Sequence, residues 1–256
     1  MDKPLTVGLY QMNIDWENPD QNIIQIEKTL NALSTPINLL VLPEMFTTGF
    51  SATAKHLAWK STSDGFIKMK TLSKTYQCSI IGSVLFQEKD QYYNRCFHWL
   101  PDGTTEHYDK VHLFSLAKEG DWVSPGKEQT HFTLNNWKIK PQICYDLRFP
   151  TNSYNQKQNP YDILLYVANW PKPRIKAWQT LLKARAIENQ SYVIGVNRVG
   201  EEPNTIMYNG QSALIDFFGN DILQFQENKA EILVKTIDKK ALLDFRKRFP
   251  FINDEI

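Results

Sequence analysis

Residues 39–44 read Leu-Leu-Val-Leu-Pro-Glu, a run of four apolar residues that stops at a proline and is followed by a glutamate. Together with Ile37, this short run predicts a β-strand that is buried on both faces. Pro43 lacks the backbone N–H that a central strand needs, so the strand is expected to end there. Glu44 is therefore expected just beyond the end of a buried strand.

Strand-like and helix-like segments alternate on both sides of this stretch. Apolar residues at helical spacing predict helices that begin near Asn18 and extend over 64–76, 175–190 and 239–248. Short apolar segments predict strands, which are 5–11, 37–42, 79–86, 92–100, 137–143, 162–168, 192–196, 212–217 and 232–237. This alternation predicts an α/β fold with mixed sheets. On the helix 175–190, the residues expected to face inward are Trp178, Leu181, Leu182, Ala186 and Ile187.

The composition limits the class of protein. The chain has 256 residues, of which 42% are apolar, and no linker or repeat divides it, so we expect one domain over 1–256. Its 29 basic and 28 acidic residues give a net charge of +1. This balance argues against nucleic acids and anionic membranes as partners, because both need a basic excess. No apolar run approaches the roughly 18 residues of a membrane-spanning helix.

The cysteines and the N-terminus indicate the compartment. Cys78, Cys96 and Cys144 are an odd number without close spacing, so neither a disulfide framework nor a Cys-rich metal site is expected. The five histidines show no metal-binding spacing either. Met1–Leu5 leads into the first predicted strand without a signal peptide. We therefore expect a cytoplasmic protein without a metal, in which Cys78 and Cys96 are small core residues.

Three reactive side chains stand beside apolar segments. Glu44 follows the strand 37–42, Lys110 lies among apolar and aromatic residues, and Cys144 follows the strand 137–143. In α/β proteins, ligands bind at the carboxyl ends of strands. Each residue also has an ordinary interpretation, respectively a solvated loop glutamate, a surface lysine extending from a strand, and an inert buried cysteine.

Together, the three side chains supply a complete chemistry. A partly desolvated carboxylate can act as a general base, and a thiol can act as a nucleophile. A fixed ammonium group can stabilise an oxyanion. Attack on a carbonyl carbon and loss of an amine require this combination.

The three motifs resemble those of the nitrilase, or carbon–nitrogen hydrolase, superfamily. Its Glu–Lys–Cys triad matches Glu44 in Leu-Pro-Glu-Met-Phe, Lys110 in Tyr-Asp-Lys-Val-His-Leu-Phe and Cys144 in Ile-Cys-Tyr-Asp-Leu-Arg-Phe-Pro. The resemblance implies a four-layer αββα sandwich, homodimers or higher homo-oligomers that pair through the sandwiches, and no metal or organic cofactor. It also matches the superfamily's second glutamate to Glu119, which implies that Glu119 orients Lys110. The other interpretation of Glu119 is an exposed loop residue.

Within the superfamily, the chain is most similar to the omega-amidases, on the stretches 41–50, 165–174 and 184–190. This similarity implies a hydrolase of linear amides that releases ammonia from small keto-acid amides such as 2-oxoglutaramate and 2-oxosuccinamate. The implied route is a thioester on Cys144. The alternatives are another amidase or carbamoyl hydrolase of the superfamily and a non-catalytic binding homologue, although the intact triad speaks against the last.

A keto-acid substrate also needs a cation for its carboxylate. Arg148 and Arg174 are the candidates, because a guanidinium group holds a carboxylate through two hydrogen bonds. Either arginine could instead form a structural ion pair, as Arg148 could with Asp146. The backbone N–H of Tyr145 is expected to join Lys110 in holding the oxyanion. The aromatic residues expected to line the pocket, unless they belong to the core, are Phe46, Tyr145 and Trp170.

Overall fold

The computed structural model describes residues 3–127 and 130–254. Met1, Asp2, Glu128, Gln129, Glu255 and Ile256, which belong to the domain expected over 1–256, lie outside the described residues. The described strands are β1 (Leu5–Gln11), β2 (Leu39–Val41), β3 (Ser79–Glu88), β4 (Gln91–Trp99), β5 (Thr105–Asp109), β6 (Phe132–Leu134), β7 (Trp137–Ile143), β8 (Ile163–Ala168), β9 (Tyr192–Asn197), β10 (Val199–Glu201), β11 (Met207–Asn209), β12 (Ala213–Ile215), β13 (Asp221–Gln224) and β14 (Glu231–Ile237). The α-helices are α1 (Pro19–Ala32), α2 (Asp64–Tyr76), α3 (Pro150–Ser153), α4 (Ile175–Asn189) and α5 (Lys239–Arg248).

The strands form two mixed six-stranded sheets. The first has the order β14-β1-β2-β3-β4-β5, and the second has the order β13-β12-β9-β8-β7-β6. In the first sheet β1, β2 and β3 are parallel, and in the second β7, β8 and β9 are parallel. The other neighbours in each sheet run antiparallel. A separate hairpin joins β10 to β11.

The two sheets pack face to face over a shared apolar core. Strand β2 shows how the sequence produces this arrangement, because its side chains alternate between the faces. Leu39 and Val41 point into the core between the sheets, whereas Leu40 and Leu42 point to the outer face. The apolar run is therefore continuous because the strand is buried on both sides.

Helices cover the outer faces of both sheets. The apolar residues of α1 and α2 pack on the outside of the first sheet, and those of α4 pack on the outside of the second. Helix α1 begins at the predicted signal, where the side chain of Asn18 accepts a hydrogen bond from the backbone N–H of Gln21 and Pro19 is the first helical residue. The layers are therefore α, β, β and α, as the resemblance to the nitrilase superfamily implied.

Most predicted elements are present with nearly the predicted bounds. The observed β1, α2, β7 and α5 have the bounds that the sequence predicted. Cys78 and Cys96 are core residues, as predicted. The inward direction of Ile187 was wrong, since its side chain is 55% exposed. The short strands β5, β6, β10, β11 and β13 were not predicted, because three to five residues give too little alternation to recognise.

The topology brings several chain segments to one end of the sandwich. Glu44 follows β2, Lys110 follows β5, Cys144 directly follows β7, and Asn169 directly follows β8. Because β2 belongs to the first sheet and β7 to the second, the site forms where the ends of both sheets meet. No helix within the described ranges has the length and apolar character needed to cross a bilayer.

Candidate active site

A buried lysine lies between two buried carboxylates. The Nζ atom of Lys110 donates hydrogen bonds to Oε1 of Glu44 at 2.9 Å and to Oε1 of Glu119 at 3.0 Å. All three side chains are essentially inaccessible to solvent. Glu119 is therefore not an exposed loop residue, and its second oxygen accepts the backbone N–H of Phe114 at 2.6 Å.

Asn94 links the same two carboxylates from the neighbouring strand β4. Its Nδ2 atom donates to Oε1 of Glu44 at 2.7 Å and lies 3.2 Å from Oε1 of Glu119. The orientation of the Asn94 amide is fixed because its Oδ1 accepts the hydroxyl of Ser83 at 2.8 Å. Such a network keeps the buried carboxylates satisfied, which lowers the cost of removing them from water.

The two carboxylates determine the charge state of Lys110. Burial alone would lower the pKa of the lysine, but the negative charges of Glu119 and Glu44 outweigh it and raise the pKa above the ordinary value. The ammonium group therefore keeps its proton over the whole physiological range. Burial raises the pKa of Glu119, and the charge of Glu44 adds to this effect, whereas Lys110 opposes it.

Cys144 occupies a tight turn between β7 and the short 3₁₀ helix Cys144–Arg148. Its φ of 45° lies in the left-handed region, which costs a residue with a side chain about 1–2 kcal/mol. Strain of this kind persists where the surrounding structure holds the backbone in place. The conformation puts the sulfur at the cavity described below, 3.9 Å from the backbone oxygen of Asn169.

Asp146 is the side chain that holds this turn. Its Oδ2 accepts the backbone N–H of Ile143 and the hydroxyl of Tyr108, both at 2.9 Å. Its Oδ1 accepts the backbone N–H of His112 at 3.0 Å and lies 2.8 Å from Nδ1 of the same residue. Because Tyr108 and His112 flank Lys110, the carboxylate of Asp146 ties the lysine segment to the cysteine turn.

The surroundings of the Cys144 thiol favour its protonated form. Burial raises its pKa, the negative charge of Glu44 and a hydrogen bond to that carboxylate raise it further, and Lys110 only partly offsets them. A thiol of this kind needs a base in order to attack, and Glu44 is the carboxylate in contact with it.

Asn169 holds Glu44 from the second sheet. Its backbone N–H donates to Oε2 of Glu44 at 2.8 Å, and its side-chain Nδ2 donates to the backbone oxygen of Glu44 at 2.9 Å. Oε1 therefore receives Lys110 and Asn94, whereas among described residues the backbone N–H of Asn169 is the one donor that Oε2 receives. Oε2 is the less neutralised oxygen of the two.

A cavity of about 90 Å³ opens over these groups. Glu44, Lys110 and Cys144 line its floor, and aromatic and charged side chains form the walls. The remaining lining residues are Phe50, Phe114, Ala117, Tyr145, Arg148, Asn169, Trp170, Pro171, Arg174, Glu202, Ile206 and Tyr208.

Two guanidinium groups flank this cavity, each over an aromatic ring. Arg148 lies 5.1 Å from the ring centre of Trp170, and Arg174 lies 5.1 Å from that of Phe114. Arg148 is exposed and Arg174 is half-buried. Neither has an ion-pair partner among the described residues, so the pairing of Arg148 with Asp146 that the sequence left open is not present.

One predicted wall residue lies elsewhere. The structure places Phe46 in the core on the outer face of the first sheet, where its ring makes edge contacts with Trp59 and Trp99. Phe46 follows Glu44 by two residues but points the opposite way, because the chain turns at Met45, whose φ is 42°. The prediction that Phe46 lines the pocket was therefore wrong, and the alternative, that it is a core aromatic residue, describes its position.

Several lining residues had no role in the sequence prediction. Asn169 directly follows an apolar strand, as Cys144 does, so the same sequence pattern could have identified Asn169. Asn94 lies inside β4, where a buried polar residue in a strand is an unusual signal. Glu202 and Tyr208 come from a loop and a short hairpin that the sequence pattern did not distinguish. Within 3–127 and 130–254, no group of three or more His, Cys, Asp or Glu side chains is arranged to hold a metal.

Comparison with known proteins agrees with this geometry. The carbon–nitrogen hydrolase family model matches residues 6–247. The chain therefore belongs to the carbon–nitrogen hydrolase family and is a hydrolase of the amidase type.

Individual relatives extend the match over nearly the whole chain. The chain is 40% identical over 250 residues to omega-amidase YafV of Yersinia enterocolitica, covering 98% of this chain and 96% of the relative. It is 32% identical over 252 residues to a 2-oxoglutaramate amidase of Bacillus subtilis (strain 168), with 97% and 96% covered. The crystal structure of XC1258 from Xanthomonas campestris, a CN-hydrolase superfamily protein with an arsenic adduct in its active site, matches with a TM-score of 0.96 at 36% identity. That match covers 100% of this chain and 98% of the other. The predicted fold class and the resemblance to omega-amidases are confirmed.

We predict that Asp146→Asn destabilises the protein by about 1–3 kcal/mol. The N–H groups of the new amide would face N–H and O–H donors whose hydrogen bonds the carboxylate now accepts. Urea unfolding monitored by tryptophan fluorescence measures this difference. Asp90→Asn, which changes an exposed carboxylate in the turn between β3 and β4, is the control and should leave the midpoint unchanged. An unchanged midpoint for Asp146→Asn would contradict the role of Asp146 in holding the turn.

Proposed function

We propose that the protein is an omega-amidase that hydrolyses the terminal amide of short 2-oxo dicarboxylic acid monoamides, such as 2-oxoglutaramate and 2-oxosuccinamate, to the keto acid and ammonia. The observation that carries this proposal is the contact of one thiol, one carboxylate and one ammonium group at the floor of a small cavity flanked by two arginines. The names of the relatives support the substrate class.

In the first step, Oε2 of Glu44 takes the proton of the Cys144 thiol while the sulfur attacks the amide carbon. Oε2 suits this role because Oε1 is already neutralised by Lys110 and Asn94. The bond formed is between the sulfur and the carbon, and the electron pair of the carbonyl bond moves to its oxygen.

The resulting oxyanion needs positive charge or hydrogen-bond donors. An ammonium group has three protons, and Lys110 directs two of its hydrogen bonds to Glu44 and Glu119. The third proton is available to the oxyanion. The backbone N–H of Tyr145 is a second donor, because it lies in the first turn of a helix, where N–H groups lack intrahelical partners.

Collapse of the intermediate breaks the carbon–nitrogen bond. Glu44 returns its proton to the leaving nitrogen, so ammonia leaves and a thioester on Cys144 remains. Glu44 then takes a proton from water, whose oxygen attacks the thioester carbon, and returns that proton to the sulfur as the acid leaves. Glu119 stays in contact with Lys110 throughout and balances its charge.

The carboxylate of the substrate would bind Arg148, Arg174 or both. The aromatic rings of Trp170 and Phe114 hold the two guanidinium groups at the cavity without neutralising their charge. Trp170 is itself fixed, because its Nε1 donates to the backbone oxygen of Arg174 at 2.8 Å.

We expect the wild-type enzyme to release ammonia from 2-oxoglutaramate and 2-oxosuccinamate with kcat/KM at least about 100-fold above a nitrile and an N-carbamoyl amino acid of matched length. Coupled measurement of ammonia gives these values. Cys144→Ala should lose about 10⁴-fold or more, because the covalent route disappears. Cys78→Ala, a matched change of a core cysteine, should remain active.

The same panel separates the alternatives. Preferred release from the nitrile or the carbamoyl compound would identify another branch of the family. No turnover of any compound, together with a Cys144 thiol that does not react with iodoacetamide, would support a non-catalytic binding protein. A fully active Cys144→Ala variant would end the assignment of the nucleophile.

We predict that Arg148→Lys or Arg174→Lys raises KM for 2-oxoglutaramate about tenfold, because an ammonium group cannot make the two parallel hydrogen bonds of a guanidinium group. Butyramide, an amide without a carboxylate, should show no such change. Arg248→Lys is the matched control, since Arg248 also lies over an aromatic ring but outside the cavity. If neither variant changes KM, the carboxylate is recognised elsewhere.

We further propose that the chain forms one domain in the cytoplasm and pairs as a homodimer. The core shared by both sheets supports one domain, and three free cysteines suit a reducing compartment. A line of aromatic contacts that runs from Phe218 through Phe245 and Phe249 to Phe251 supports pairing, because its two ends are exposed.

Sedimentation should therefore give twice the mass of one chain for the wild-type protein. Phe218→Glu with Phe251→Glu should shift the protein to the monomer, because charges at the centre of an apolar interface lose their hydration. Ile67→Glu, at an equally exposed apolar residue of α2, should leave the dimer intact. A wild-type protein that sediments as a monomer would contradict this arrangement.

A further inference from the structure

A second carboxyl group faces the cavity without a role in the steps above. Glu202 follows β10, and a tight turn places Tyr208 of β11 beside it, with the backbone N–H of Glu202 donating to the oxygen of Ile206 at 3.0 Å. The Tyr208 hydroxyl donates to Oε1 of Glu202 at 2.5 Å. Both residues line the cavity together with Cys144.

The other oxygen of this carboxyl group is free to meet a ligand. Among the described residues, Oε2 of Glu202 has no hydrogen-bond partner, and it is not one of the fully enclosed unpaired atoms. Because Glu202 as a whole is only 5% exposed and lines the cavity, this oxygen opens into the cavity.

The surroundings of Glu202 favour its neutral, protonated form. No cation of the described chain lies within ion-pair distance of it. The nearby Arg198 lies over the Tyr208 ring at 4.8 Å and donates to the backbone oxygens of Val199 and Ile14. A buried carboxylate without an ion-pair partner is costly, and this cost favours the protonated form of Glu202.

The electrostatics of the cavity act in the same direction. Burial raises the pKa of Glu202, and the negative charge of Glu44 adds to this, while the hydrogen bond from Tyr208 and the charge of Arg198 oppose it. The floor already holds two carboxylates against one ammonium group. A third ionised carboxylate would add to the negative charge that Glu44 and Glu119 place close to Cys144.

We propose that Glu202, held by Tyr208, is a specificity-determining residue that donates a hydrogen bond from Oε2 to the 2-oxo oxygen of the substrate. This inference rests on the proposed omega-amidase function and adds the basis for choosing oxo acids over amino acids. A carbonyl oxygen accepts the hydrogen bond, whereas the ammonium group of an amino-acid amide such as L-glutamine has only donors to present.

The test compares 2-oxoglutaramate with glutaramate, which has the same chain without the oxo group. Glu202→Ala should lower the ratio of their kcat/KM values about tenfold or more, with the value for glutaramate changed less than about threefold, because one hydrogen bond is lost only with the oxo substrate. Glu202→Gln should restore most of the ratio, because its amide can accept from Tyr208 and still donate to the oxo group. Glu201→Ala, which changes the exposed neighbour, is the control and should keep the wild-type ratio.

Each outcome decides the proposal. Equal losses for both substrates in Glu202→Ala would assign Glu202 a structural role and overturn it. A Glu202→Gln variant as poor as Glu202→Ala, or a wild-type preference for L-glutamine over 2-oxoglutaramate, would show that an ionised carboxylate acts and would also overturn it. If Glu202→Ala does not fold, Tyr208→Phe replaces it, and an unchanged ratio then rejects the proposal. Failure of the omega-amidase function itself would appear differently, as absence of ammonia release from 2-oxoglutaramate by the wild-type enzyme.

Discussion

The site depends on a single ammonium group that two buried carboxylates share. Lys110 could not remain charged at its depth without Glu44 and Glu119, and its ammonium group is the cation that both buried carboxylates contact. Removing one member of such a set costs about 3–5 kcal/mol, because an uncompensated charge stays buried. Stability and reactivity are therefore coupled here. The ion pairs that would hold Glu44 in place as the proposed base are the same ones that compensate the charges buried at the end of the first sheet.

The two sheets contribute unequally to this arrangement. The first sheet supplies the charged groups, and the second supplies the sulfur and the atoms that position it. Asn169 from the end of β8 holds both Oε2 and the backbone of Glu44, while Asp146 ties the cysteine turn to the segment around Lys110. Because these bonds cross between the sheets, a small shift of one sheet against the other would separate the base from the thiol. The apolar core that packs the sheets together thus sets the distance on which proton transfer depends.

The sequence predicted the parts of this structure that follow from local patterns. Apolar patterns with clear boundaries predicted the observed limits of β1, β7, α2 and α5. Glu44 and Cys144 were identified because each follows the end of a predicted strand. Patterns failed where the outcome depends on tertiary contacts. Phe46 stands two residues from Glu44, yet the turn at Met45 sends its ring to the opposite face. Asn94 contacts Glu44, which lies more than forty residues away in the chain, and Glu202 contacts Tyr208 because a loop closes between them. A local pattern in the sequence does not encode such contacts. The exposure of Ile187 depends on how α4 packs against the second sheet, which periodicity alone does not determine.

The distribution of charge around the cavity favours one orientation of the proposed monoamide substrates. Lys110 is cationic but already bound by two carboxylates, so a substrate carboxylate at the floor would meet net negative charge. Arg148 and Arg174 keep their charge unpaired among the described residues and lie toward the solvent. A molecule with an anion at one end and a neutral amide at the other is therefore drawn in with the amide toward Cys144. If the proposed substrates bind in this way, the separation between the arginines and the sulfur limits the chain length, because a longer or shorter molecule cannot satisfy both ends at once. Under the proposed function, selection for a terminal amide then follows from this charge distribution as much as from the shape of the walls.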